Sequence, residues 1–320
     1  MKTTAIFESH RLKTLNSGRT CFEEGCTKPA IDSHILQKNG IISKIAEKGH
    51  VIECAIDLFE SDYQMRFKRT GVNKVFTFKG FCTSHDNSLF KEIEQSSYDL
   101  SNYRHQLLFA YRTSVNETRK KENVIDCYNS IIDDPTIKLP AEPLLNAIYG
   151  QKIGIIDGNF TRKSLLKNIR SHNLQEFTIH TFEVPIRDVC LCGVTTYETS
   201  FEIKKMEIEN NPKFFTPLTD VFVTLLPQDT NSVLSVCFLK GHNMECDKYY
   251  SSLFEQNDKD IIIQYISDLM LLQMENWIVS ESFYHSNIKP NETTIKTIIN
   301  WAYENWDERI SLDFNIFKNK

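Results

Sequence analysis

Residues Cys21-Phe-Glu-Glu-Gly-Cys26-Thr-Lys-Pro-Ala-Ile-Asp32-Ser-His34 and Gly80-Phe-Cys82-Thr-Ser-His85-Asp86-Asn87 decide how the N-terminal third of this chain is organised. Each stretch carries two metal-ligand side chains close together, Cys21-x4-Cys26 and Cys82-x2-His85. A structural zinc site takes four such ligands, and local pairs commonly supply two each. Gly25 lets the backbone turn sharply within the first pair. The second pair follows the β-forming run KVFTFKGF and precedes a helix-forming one, so Cys82 sits on a turn and His85 in a first helical turn. Cys21, Cys26, Cys82 and His85 are therefore expected to hold one structural Zn²⁺ ion. The competing explanation is two unrelated buried cysteines and a surface histidine, since free cysteine is a common core residue.

Working outward, residues 1–20 form a polar lead-in with room for one short strand. A helix is expected mainly over 40–48, ended by Gly49, with strands at 50–58, 63–68 and 75–81 and a helix at 87–94. Helical spacing of Tyr103, Leu107, Leu108, Tyr111 and Val115 marks a helix over 101–129, with Arg112, Arg119, Lys120 and Lys121 expected to face outward. A helix-rich stretch follows at 142–171. Strand patterns occupy 174–206 and 217–240, the latter a hairpin turning at PQDTNS, and helices return at 258–281 and 291–305. The expected fold is α+β: a treble-clef or ββα-like zinc module over 1–95, a helical connector over 96–171, and an antiparallel-sheet and helix domain over 172–320.

Composition narrows the function classes. Nine cysteines at irregular spacing in 320 residues suit a reducing compartment, and the N-terminus has no signal-peptide character, so a cytoplasmic location is expected. The apolar run 261–279 is interrupted by Gln264, Asp268, Gln273 and Glu275, so no membrane partner is expected. Residues 1–122 hold 19 Lys and Arg against 15 Asp and Glu, and the remainder 18 against 27. Only the N-terminal part is thus basic enough to suit contact with nucleic acid. Eleven glycines include no dinucleotide fingerprint. Cys190 and Cys192, with His242 and Cys246, could form a second metal site, but the simpler reading is a half-buried strand and an unrelated loop. The apolar face of residues 262–274 reads as core or as a dimer contact, leaving a protein partner or homodimer open.

Between the two ligand pairs, Ile31-Asp32-Ser33-His34-Ile35 followed by Cys82-Thr-Ser-His85-Asp86-Asn87 resembles the HNH, or His-Me finger, nuclease core over residues 21–94. The stretch 71–90 also resembles a zinc module found in uncharacterised bacterial proteins. The HNH resemblance implies that His34 is the general base, that Asp86 takes the helix-borne position that binds a catalytic Mg²⁺ or Mn²⁺, and that Asn87 assists. It implies cleavage of DNA or RNA phosphodiesters, with bacterial anti-phage defence a natural setting. Two positions depart from the family pattern. Ser33 stands where Asp or His is usual, and the middle asparagine is missing, Thr77 being five residues before Cys82 and Asn73 further back. The alternative is a non-catalytic, zinc-scaffolded binding or sensor protein that acts through its C-terminal domain.

Overall fold

The computed structural model describes residues 3–57, 64–94, 98–171, 173–199, 216–304 and 310–318. Expected strand or helix at positions 58, 63, 200–206 and 305 lies outside these residues. In chain order the main elements are α1 (Thr3–Asn16), β1 (Asp32–His34), β2 (His50–Asp57), β3 (Gln64–Gly71), β4 (Thr77–Lys79) and α2 (Thr83–Glu94). There follow α3 (Tyr103–Ile132), α4 (Ala141–Arg170), β5 (Phe177–Val184), β6 (Val189–Thr196), β7 (Asp220–Pro227) and β8 (Ser232–Leu239). The chain ends with α5 (Met244–Glu255), α6 (Lys259–Leu272), β9 (Trp277–Val279) and α7 (Glu292–Glu304). The fold is mixed α+β, as expected.

A seven-stranded sheet runs in the order β3-β2-β9-β6-β7-β8-β5, with every neighbouring pair antiparallel. Strands such as β7 (DVFVTLLP) are apolar almost throughout because both faces of the sheet are covered. On one face, Cys190, Cys192, Phe222, Cys237 and Ile278 pack with Leu107, Leu108 and Tyr111 of α3 and with the finger residues Phe81 and Phe90. On the other, Leu191, Val223, Val236, Phe238 and Trp277 pack with Tyr250 of α5, Ile262, Ile266 and Leu269 of α6, and Ile295 and Ile299 of α7. The alternation of Cys190 and Leu191 between the two cores is the period-2 geometry of a strand.

The sheet draws strands from both sides of the sequence boundaries at 95 and 171. The β2–β3 hairpin lies between the two ligand pairs in sequence, yet it joins the C-terminal strands through β9, where Ile52 faces Val279 and Glu53 faces Ile278. The smaller β1–β4 ladder, Asp32 to Lys79 and His34 to Thr77, forms a separate two-stranded sheet. α3 and α4 form an antiparallel hairpin: Arg162 Nη1 donates to Thr118 Oγ1 at 2.7 Å, and Tyr103 Oη donates to Asn168 Oδ1 at 3.4 Å.

Several expectations are corrected. Residues 3–16 are helical, not a lead-in with a strand, because Phe7 and His10 find partners on α3: Phe7 packs edge-on against Tyr128, and His10 Nδ1 lies 2.7 Å from Ser130 Oγ. Residues 277–279 are a central strand and not the end of a helix. α6 stops at Leu272, and the β-forming triplet Trp-Ile-Val is fully buried between β2 and β6. Residues 244–255 form a helix that periodicity missed, started by the Asn243 side chain accepting from the N–H groups of Glu245 and Cys246. Arg112 and Arg119 do not face outward. Both are buried, Arg112 paired to Glu94 at 2.5 Å and Arg119 to Glu122 at 2.6 Å.

The helix expected over 40–48 is a π-helical turn, Lys38–Ile42, running into a single turn, Ser43–Ile45. Lys48 and Gly49, both at positive φ, then reverse the chain into β2.

Trp277 sits where the finger's hairpin meets the main sheet, with Phe67 of β3 5.8 Å from its ring. Trp277→Ala should cost about 3–5 kcal/mol in urea unfolding, with the midpoint falling and the slope unchanged.

Candidate metal centre

The first ligand pair is shaped by backbone bonds. Cys21 N–H donates to Lys28 O at 2.8 Å and Cys26 N–H to Glu23 O at 3.1 Å, while Thr20 bridges to Pro29. Gly25 takes φ +74°, a conformation that L side chains rarely adopt, which is why glycine stands there. The two knuckles are tied together by Phe22 N–H donating to Gly80 O at 3.0 Å and Ile31 N–H to Phe81 O at 2.8 Å. Cys82 immediately precedes α2 and its carbonyl accepts the Asp86 N–H at 2.9 Å. The N–H groups of His85 and Ser84 also point at its sulfur. They hold the Cys82 thiol down to about 7, whereas burial pushes the Cys21 thiol up.

The result brings all four predicted ligand atoms within 4.8 Å of one another. Cys21 Sγ lies 3.3 Å and Cys82 Sγ 3.4 Å from His85 Nδ1, and Cys26 Sγ lies 4.0 Å from Cys82 Sγ. With metal–sulfur bonds of about 2.3 Å and a metal–nitrogen bond of about 2.0 Å, a tetrahedral zinc separates its ligands by about 3.8 Å (S to S) and about 3.5 Å (S to N). The cluster's three short separations lie close to those values. Its donor set of three sulfurs and one imidazole nitrogen could hold a metal ion such as zinc. It is the one group of three or more such ligands among the described residues.

The second site that Cys190, Cys192, His242 and Cys246 suggest does not form among the described residues. Cys190 and Cys192 line one face of the sheet and Cys246 packs on the other, while His242 Nε2 is bound to Pro217 O at 2.9 Å.

Asp86 and Asn87 follow the ligand His85 in α2, whereas His34 lies at the other end of the β1–β4 ladder, and no described hydrogen bond or ion pair joins it to either. His34 ends β1, half-buried, with Nε2 3.1 Å from Val72 O. A carbonyl only accepts, so Nε2 carries the hydrogen and the neutral ring leaves its lone pair on Nδ1. Burial lowers the His34 pKa from its ordinary 6.5. The Val72 carbonyl and Glu94 pull it up, and Lys38 and Arg112 reinforce the lowering. Asp86 lies in the first turn of α2 with Oδ1 buried and without a hydrogen-bond partner, and Asn87 beside it is exposed. Asp32, on the same face of β1 as His34, is held by Lys79 at 2.8 Å. Ser33 points the other way and is buried.

Sequence reasoning missed Glu94 and Arg112 as neighbours of His34. Arg112 is 1% exposed, lies 4.0 Å over the Phe90 ring, and keeps Nε and Nη2 without partners. The signal was present in the helical period: Leu108, Arg112 and Val115 recur at i, i+4 and i+7 on the buried stripe of α3.

No family model, curated protein or solved structure matches this chain. No described helix is long and apolar enough to cross a membrane.

Removing one ligand should empty the centre without dissolving the main sheet. Cys26→Ser is expected to drop metal content, measured by mass spectrometry of the purified protein, from one ion per chain to under about a quarter. Stability should fall by about 3 kcal/mol or more, because structural metal binding is coupled to folding.

Proposed function

We propose that the chain is a zinc-stabilised nuclease of the His-Me finger type, with His34 as the general base, cleaving DNA or RNA phosphodiesters. The observation that carries this reading is the fixed tautomer of His34. Its Nε2 is committed to the Val72 carbonyl, and burial keeps the ring neutral at pH 7. Nδ1 is then the atom that takes a proton from water as the water oxygen attacks phosphorus. The frame around it supports the same reading: a short strand ending in histidine follows the first ligand pair, and a second strand leads through Cys82 into the helix that carries His85, in the order β1, β4, α2. This order supports the treble-clef or ββα-like reading of the module, with the β2–β3 hairpin inserted between its strands.

The partnerless Oδ1 of Asp86 suits a role as a ligand for Mg²⁺ or Mn²⁺, and exposed Asn87 is placed next to it in sequence. Such an ion would stabilise the charge on the leaving oxygen. Ser33, turned into the core, contributes no ligand. The zinc centre is the frame and not the catalyst. Defence against phage is the setting proposed for the activity.

His34→Ala should leave the zinc content and unfolding midpoint close to wild type and cut the rate of metal-dependent oligonucleotide cleavage by about 10²–10⁴. Because the folded-state pKa of His34 lies below 6.5, the wild-type rate should be flat from pH 7 to 8 and decline only below pH 6.5. Zinc-loaded protein that cleaves neither DNA nor RNA with Mg²⁺ or Mn²⁺, or a His34→Ala variant as active as wild type, contradicts the reading and favours a binding or sensor role.

A further inference from the structure

α4 is anchored along one side and bare along the other. Ile148, Asp157, Thr161, Leu165, Asn168 and Ile169 are buried, and a methyl group on Gly154 would strike the Lys121 side chain of α3, so the two helices approach closely on that side. The opposite side carries Leu145, Tyr149, Ile156 and Phe160, which are 52%, 66%, 62% and 42% exposed. At about 100° per residue these four fall within a stripe some 60° wide. Glu142 and Lys163, both exposed, lie on the same stripe at its two ends. Surface helices seldom leave four large apolar side chains in line. At roughly 200 Å² for a large side chain, the stripe presents on the order of 400 Å² of apolar surface, within the range of the largest patch on a typical monomer.

We propose that this stripe is a homodimer interface in which α4 of one copy packs antiparallel against α4 of a second. The order of side chains along the stripe is what selects a second copy as the occupant. With a two-fold axis between Lys152 and Ile153, Leu145 faces Phe160 of the other copy and Tyr149 faces Ile156. Glu142 then faces Lys163 at both ends. An isologous interface requires this self-complementarity, and it arises here in shape and in charge from one register. A parallel arrangement would instead set Glu142 against Glu142 and Lys163 against Lys163. The apolar stripe spans about 22 Å of helix and supplies about half of the roughly 800 Å² per partner of a standard stable interface. Phe160 is braced from behind by His242, whose ring lies 5.5 Å away, so the anchor at that end is held in place before association. Lys152 sits at the edge of the stripe next to the axis. In the dimer its stem would cover apolar neighbours while its ammonium group reached water, at some electrostatic cost to the pair.

Sedimentation equilibrium of the full chain tests the proposal. Wild type should approach twice the 37.3 kDa chain mass at micromolar concentration. Ile156→Glu should sediment as monomer with an unchanged circular dichroism spectrum. Glu142→Lys should weaken the dimer several-fold, and adding Lys163→Glu should restore it, since the two charges meet only in the antiparallel register. Lys152→Leu should tighten it. A wild-type chain that is monomeric up to about 100 µM, a dimer indifferent to Ile156→Glu, or a charge swap that fails to restore association would overturn it. None of these outcomes depends on nuclease activity.

Discussion

Three sulfurs and an imidazole nitrogen crowded within 4.8 Å of one another are the constraint from which the N-terminal half of the molecule follows. With two of the cysteines buried, this donor set could hold a metal ion such as zinc, and an ion bound there would fix where the chain can go. Cys21 and Cys82 meet across some 60 residues of sequence, a loop whose closure costs conformational entropy that a bound ion would help to offset. Once the two knuckles meet, the Phe22–Gly80 and Ile31–Phe81 bonds set the register of β1 against β4. The start of α2 is set with them, and His34 is left at the far end of the short ladder.

The finger is not a detachable bead. Its inserted hairpin forms the edge of the seven-stranded sheet, and the α3–α4 hairpin clamps its other side with arginines. Arg119 donates to Thr20 O at 2.6 Å, and both it and Arg162 stand over the Phe22 ring at 4.8 and 4.7 Å. Arg170 pairs with Glu23 at 2.5 Å, and Arg112 reaches Glu94 across the Phe90 ring. Guanidinium groups suit this work because they stack on aromatic faces and bind carboxylates at the same time. Any motion of α3 is thereby coupled mechanically to the helix that carries His85 and Asp86, and to the surroundings of His34.

Much of this was legible in the sequence where the signal is local. Ligand spacing identified the four side chains that the fold brings together, and the alternating runs of 217–240 gave the β7–β8 hairpin. The long helices α3 and α4 followed from their period. What failed was decided by distant partners. Trp277, Ile278 and Val279 follow a strongly helical stretch, and only the empty slot between β2 and β6 makes them a strand. The arginines of α3 look like a solvated face until Glu94, Phe90, Thr20 and Phe22 arrive from elsewhere in the chain to satisfy them. The hairpin at 50–71 was legible as two strands, but its membership of the C-terminal sheet rests on two residue pairs with β9, which no local pattern announces.

The account stands on the cation. X-ray absorption at the zinc edge of the purified, reduced protein tests it most directly. A single ion per chain should show three sulfur neighbours at about 2.3 Å and one nitrogen at about 2.0–2.1 Å. A first shell of oxygens, a ligand set with fewer than three sulfurs, or protein that folds fully without any bound metal would contradict it.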